Sequence, residues 1–287
     1  MFSYSKLARK LFSKQAKSII PYSASVKKDM KASNLNYTME EYISMALLTV
    51  VLAFFLETVA FSVVFSLVLN NVLLGIFSAF FLSLLISAII TFVFYIYPSS
   101  RAESRKKGIE RVLPFASTYL SVISSGGVSP STMFRTLSQF DEYGEVSKDA
   151  KTITRDIEVF GMTAGSAVRK EASKTPSSEF KDLLYGMSST IASGGNLTRY
   201  LQGKSDELMS IFRRKITKYS STLSLFIELY LTLLIAGSVF FIVLSSIMSV
   251  VTGGTSMVFL QSFVVFILLP LISLGFIILI KSVSPTG

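Results

Sequence analysis

The chain contains no cysteine and no histidine. Disulfide staples are therefore excluded, and the commonest soft and borderline metal ligands are missing. A nucleophile–base pair of the usual kinds cannot be assembled either, and none of the many serines stands in a recognisable elbow. No catalytic residue, cofactor or metal site is expected, and the chain reads as a non-enzyme. Charge is scarce: charged residues make up 16% of the 287, hydrophobic ones 51%, and the mean hydropathy is +0.57. That is too apolar for an ordinary soluble domain. Basic residues are absent from four long apolar stretches, Ile43–Leu69, Val72–Tyr97, Thr222–Val251 and Met257–Ile280.

Each stretch reaches the ~20 residues that a helix needs to cross a bilayer. The fold expected is an all-α polytopic membrane protein with four transmembrane helices and one cytoplasmic bundle of about six helices. Its parts are a basic N-terminal segment (1–42), spans one and two (43–97), the bundle (98–221), spans three and four (222–280) and a short tail (281–287). Of the 28 Lys and Arg, eight lie in 1–42, nineteen in 98–221 and one at Lys281. The turns at Asn70-Asn71 and Thr252–Ser256 carry none. The positive-inside rule then puts both termini and the middle segment in the cytoplasm of a plasma-membrane protein. The formal charge of +10 reads as topogenic and lipid-facing, not as a nucleic-acid footprint, since no stacking module or Arg-rich run accompanies it.

Residues 1–28 lack Asp and Glu. Leu7, Ala8, Leu11, Phe12, Ala16 and Ile19 share one helical face, with Lys6, Lys10, Lys14 and Lys17 largely opposite, until Pro21 stops the helix. An interfacial helix retained in the mature chain is expected, lying on anionic lipid or a partner. In the middle, breakers and caps mark six helices: Ile109–Ser125 before Gly126-Gly127, Pro130 to about Tyr143, Val146–Phe160, Thr163–Ser173, Ser177–Ser193 and one from Leu197 that continues into span three. Strand signals are absent.

Motif chemistry is thin. Thr198 to Ser205 has the tail of a phosphate-binding loop, but Thr198 replaces its first glycine and no strand precedes it. Asp141, Glu142, Glu145 and Asp149 read as a solvated helix face. Two carboxylates lie within the apolar stretches, Glu57 near the middle of span one and Glu228 a turn or two inside span three, with no basic residue in the membrane to neutralise them. Hydrogen bonding to hydroxyls such as Thr58, Ser62 or Thr232 would make them packing elements. Close helix packing is the reading for Gly237 and Gly275.

From Glu110 to about Leu234 the chain resembles the type II secretion system protein F domain in its archaeal form. Leu113-Pro114 leads to Ser125-Gly126-Gly127, then Tyr143-Gly144, then the run Arg155-Asp156-Ile157-Glu158-Val159-Phe160-Gly161, with Ala167 after it. Thr175-Pro176-Ser177 and Phe180-Lys181-Asp182-Leu183-Leu184 come next. Ser193-Gly194-Gly195-Asn196-Leu197, Tyr200-Leu201, Arg213-Arg214-Lys215 and Glu228-Leu229-Tyr230 complete the series.

The resemblance implies a non-enzymatic platform of a type IV pilus-like machine, of the archaellum or tight-adherence kind. A hexameric secretion ATPase would dock from the cytoplasm, and pilin-like subunits would be moved in the membrane. Arg105, Lys106, Lys107, Arg213, Arg214 and Lys215 are the candidate ATPase-docking residues. Glu57, Glu228 and Tyr230 are the candidates for intramembrane packing or pilin contact. Family members often carry two cytoplasmic domains and this chain has one, so self-association or a paralogous second platform subunit is implied. The rival from another class is a membrane subunit of an ATPase-driven transporter. Against it stands the absence of broken helices and of a polar midplane lining.

Overall fold

A computed structural model describes residues 2–22, 24–35, 37–252 and 255–283. Among these there are helices and turns and no strand. The chain divides into two units, 1–204 and 205–287. Four helices are long and apolar enough to span a membrane: Met39–Leu69, Val72–Ser125, Leu197–Val251 and Phe259–Lys281. The all-α, polytopic reading holds.

In the first unit, α1 (Phe2–Ile19) is followed by a 3-10 turn and α2 (Ala24–Ala32). Span one is α3 (Met39–Leu69), started by a full capping box. The Glu41 backbone N–H donates to Thr38 Oγ1 (3.3 Å), and the Thr38 N–H donates to the Glu41 carboxylate (2.9 Å), so two orphan donors are satisfied at once. Asn70, in left-handed conformation (φ 48°), ends α3. Asn71 starts α4 (Val72–Ser125) by accepting from the N–H groups of Leu73 and Leu74. Two asparagines thus make the entire turn of the α3–α4 hairpin.

The hairpin is zipped by small residues. Gly75, Ala79, Ser83 and Ser87 recur at four-residue spacing and are buried along α4. A Cβ at Gly75 would lie 2.6 Å from the Ser66 backbone nitrogen, so only glycine permits this approach. Thr58 and Ser83 hydroxyls bond across the pair at 2.7 Å.

α1 packs on α3, antiparallel to its first third. Tyr4 bonds Thr49 (2.9 Å), while Arg9 reaches Glu40 (3.5 Å) and Glu41 (3.8 Å). The expected apolar face of α1 is split. Ala8 and Ala16 are buried, while Leu7, Leu11 and Ile19 are exposed.

The helix that carries span two does not end near Tyr97. α4 runs unbroken for 54 residues through Pro98 and Pro114, about 80 Å at ~1.5 Å per residue. The separate helix expected from Ile109 is its far half. Pro98, Ala102, Arg105, Ile109, Leu113, Ala116, Leu120 and Ser124 are buried at three- and four-residue intervals, and this continuous packed stripe outweighs the two missing hydrogen bonds.

Around that half pack α5 (Pro130–Leu137), α6 (Glu145–Glu158), α7 (Ala164–Ala172), α8 (Ser178–Ala192) and the start of α9 (Leu197–Leu229). The expected caps and breakers are in place. Ser129, Thr163 and Ser177 cap α5, α7 and α8, and Gly127, Gly144, Gly161 and Gly194 take positive φ in the turns. Helix two is shorter than expected, since α5 stops at Leu137 and Asp141–Tyr143 forms a separate 3-10 turn. The core holds Ile109, Leu113, Leu120, Met133, Phe134, Ile153, Phe180 and Met187. Tyr200 secures α9 to α8, donating to the carbonyl region of Asp182 and Leu183 (3.2 and 3.1 Å).

In the second unit α9 passes into a π-helical segment, Tyr230–Ala236, and α10 (Gly237–Thr252). α11 (Thr255–Phe263), a second π segment (Val264–Leu268) and α12 (Leu269–Val283) follow. The turn expected at Thr252–Ser256 and the tail expected at 281–287 lie partly outside the described residues, at 253–254 and 284–287. A Cβ at Gly237 or Gly275 would meet nothing within 4 Å. Close packing within the chain is therefore not their reason.

Candidate functional site

The strongest charge arrangement in the first unit is internal. Arg105 projects from α4 into the bundle and is 6% exposed. Its guanidinium meets Asp149 at hydrogen-bond distance, Glu145 at 3.2 Å and Glu171 at 3.9 Å, and it donates to the Ala32 carbonyl at 2.7 Å. One residue thus ties α4 to α6, α7 and the end of α2. Lys148 and Lys174 flank the hub, bonding Glu145 (2.6 Å) and Glu171 (3.1 Å).

Arg105 is consequently not on a docking surface. In the sequence it stands in one basic run with Lys106 and Lys107, the run expected to form a docking surface. Burial at Ala102, Arg105 and Ile109 is the periodic signal that separates it from them. The solvated-face reading also fails in part, because Asp149 is 1% exposed. Burial pushes its carboxyl up to about 7, against the attraction of Arg105. At Glu145 burial works upward too, but Lys148 and then Arg105 hold it below the usual range.

The other candidates are distributed between the units. Lys106 is half-buried at the wall of a cavity between α2, α4 and the α7–α8 turn, and Lys107 is exposed. In the second unit Arg213, Arg214 and Lys215 are exposed on α9. Arg213 and Arg214 line an open groove of about 640 Å³ with Asp206, Ser210 and Lys218, and Arg214 donates to the Ser210 hydroxyl (2.6 Å).

Inside span one, Glu57 Oε2 is buried without a hydrogen-bond partner. The hydroxyls expected to hold it are engaged elsewhere: Thr58 with Phe54 and Ser83, Ser62 with Val59. Glu228 is exposed. Tyr230 does connect spans three and four, with its hydroxyl 3.5 Å from Ser273 and its ring edge-on to Phe276 at 5.4 Å between centroids.

Residues 116–245 match the family described as Type II secretion system (T2SS), protein F. The chain carries a type II secretion system protein F domain. The match begins midway through the bundle half of α4 and ends in α10, so Arg105 stands just ahead of the F domain and Tyr230 inside it. Flagella accessory protein J of Methanococcus voltae is 26% identical over 145 residues, 50% of this chain and 26% of that protein. The flagella accessory protein J of Methanocaldococcus jannaschii is 26% identical over 137 residues, 47% and 24% of the two chains. An uncharacterized protein of the same organism is 28% identical over 120 residues, 42% and 20%. The alignments thus cover a fifth to a quarter of the curated relatives' length. No solved structure matches the chain.

Proposed function

We propose that this protein is a multi-pass membrane platform on which a pilus-like filament or a type II secretion-like apparatus is assembled. The observation that carries the reading is the F-domain match over a helical bundle whose central helix, α4, is also span two. With no flexible linker between bundle and membrane, a displacement of the bundle is passed along one packed helix to the α3–α4 hairpin. Two members of this domain's relatives bear the name flagella accessory protein J, which favours a filament machine.

The driving partner in this reading is a hexameric secretion ATPase in the cytoplasm, the side to which the Lys and Arg distribution assigns the bundle and both termini. Arg213, Arg214 and Lys215 form a docking surface for it in the second unit, and Lys107 is a separate docking residue in the first. Pilin-like subunits are the cargo, met at Tyr230 and Glu228 on the membrane side. Another copy of this chain or a paralogous platform subunit is its partner in the membrane. The protein itself supplies no catalysis.

The test is charge reversal. Replacing Arg213, Arg214 and Lys215 with Glu should abolish co-purification of the ATPase while membrane insertion stays normal. Undiminished recruitment by a correctly inserted variant would reject this docking surface.

A further inference from the structure

Beside the Arg105 hub lies a cavity of about 400 Å³. α2 contributes Lys28 and Lys31, α4 contributes Lys106, and the α7–α8 region contributes Lys174 and Lys181. Two carboxylates, Asp29 and Glu103, also line it, leaving a net positive charge of three. Lys174 is paired with Glu171. Among the described residues, Lys28, Lys31, Lys106 and Lys181 have no carboxylate partner within salt-bridge distance. Four lysines gathered around one concavity, outnumbering its two carboxylates and paired with neither, repel one another, and an anion relieves that repulsion.

Thr175 forms part of the same wall. It is 8% exposed, and its hydroxyl is buried without a hydrogen-bond partner. An unpaired buried hydroxyl is a cost that a ligand oxygen can remove. The first turn of α8 also opens on the cavity at Ser178, and backbone N–H groups at a helix start favour negative charge.

The position of the cavity narrows the ligand. Ser99 and Ala102 in its wall follow directly on the apolar run that ends at Tyr97. A neighbouring cavity shares Lys31, Ser173 and Lys174 and is lined by Tyr37, Thr38 and Met39, where span one begins. The lysines therefore sit level with the charged-side ends of spans one and two, at the depth of lipid headgroups. Basic pockets at that depth take anionic headgroups.

We propose that the cavity between α2, α4 and the α7–α8 turn binds one phosphate-bearing anionic lipid headgroup, held by Lys28, Lys31, Lys106 and Lys181 with Thr175 as hydroxyl donor. A lipid there joins the N-terminal segment to the bundle at the membrane surface, and the tilt of the bundle becomes sensitive to anionic lipid.

Native mass spectrometry of the full chain in detergent tests this, with titration by dioctanoyl phosphatidylglycerol, dioctanoyl phosphatidylcholine and inorganic phosphate. One phosphatidylglycerol should bind at least about tenfold more tightly than phosphatidylcholine. The Lys31→Ala, Lys106→Ala, Lys181→Ala triple variant should lose that preference. A control variant with Lys151→Ala and Arg155→Ala, both exposed on α6 away from the cavity, should keep it. Thr175→Val removes only the hydroxyl and should weaken binding at least about tenfold, in line with one hydrogen bond to a charged group. An unchanged preference in the triple variant, or equal loss in the control, overturns the site. Inorganic phosphate binding as tightly as the lipid keeps the phosphate chemistry and overturns the lipid as its source.

Discussion

Replacing Arg105 with methionine removes the guanidinium on which Asp149, Glu145 and Glu171 converge and strands the Ala32 carbonyl it serves. The side chain volume is roughly kept, so the effect is one of charge rather than cavity. Taking one partner from a buried ion pair costs ~3–5 kcal/mol, because the remaining charge stays desolvated. Asp149 and Glu171 are almost wholly buried, so the upper part of that range applies. At ~2–4 °C per kcal/mol for a chain of this size, the melting temperature should fall by about 10 to 20 °C. The assay is thermal unfolding of the detergent-solubilised protein followed by circular dichroism. A second variant isolates the cause: Arg105→Met with Asp149→Asn removes one of the stranded charges and should recover several degrees of the loss. The single variant should also cleave faster under limited proteolysis near Ser33 and Asn34, where α2 is no longer held. A fall of less than about 2 °C, or a double variant no better than the single, would refute the hub as a source of stability.

The same hub makes stability depend on pH. Burial lifts the Asp149 carboxyl to about 7, above ~3.9 in the unfolded chain, so between those values the folded state holds a proton that the unfolded state has released. Its contribution is therefore full at low pH and declines as pH rises through 7, and Asp149→Asn should flatten the melting curve over that window. Glu145, held low, acts in the opposite sense and loses its stabilisation as the pH falls below the ordinary carboxylate range. Gly75→Val forces a Cβ against the Ser66 backbone and should open the hairpin at a cost of ~1–3 kcal/mol. In a chain without cysteine, a Thr58→Cys and Ser83→Cys pair reports this directly: its disulfide should form readily, and more slowly once Gly75 is replaced. Glu57→Gln should leave membrane levels and stability unchanged, since Glu57 Oε2 has no partner to lose; a marked loss in either would assign Glu57 a contact not seen within the chain.

Much of this fold is legible in the chain. Ser129-Pro130, Thr163, Ser177 and the glycines at 127, 144, 161 and 194 act through local backbone chemistry, and local chemistry is visible in sequence. Span two is not so easily bounded. Pro98, Ser99, Ser100 and the basic run after them suggest an end, while the burial period through Ala102, Arg105, Ile109 and Leu113 carries the helix on. Reading that period would also have separated Arg105 from Lys106 and Lys107. Gly75, Ala79, Ser83 and Ser87 were a readable small-residue stripe. The lysine cavity was not, because Lys28 and Lys31 meet Lys106 and Lys181 only through tertiary packing across distant parts of the chain.

The platform reading is tested most directly by affinity purification of the tagged protein from native membranes after mild crosslinking, with mass spectrometry of what accompanies it. The account predicts a secretion-type ATPase together with pilin-like subunits, and the pilin would identify the filament. Recovery of a solute-binding protein or a transporter ATPase in their place would contradict it, leaving the F domain intact and the function assigned to it wrong.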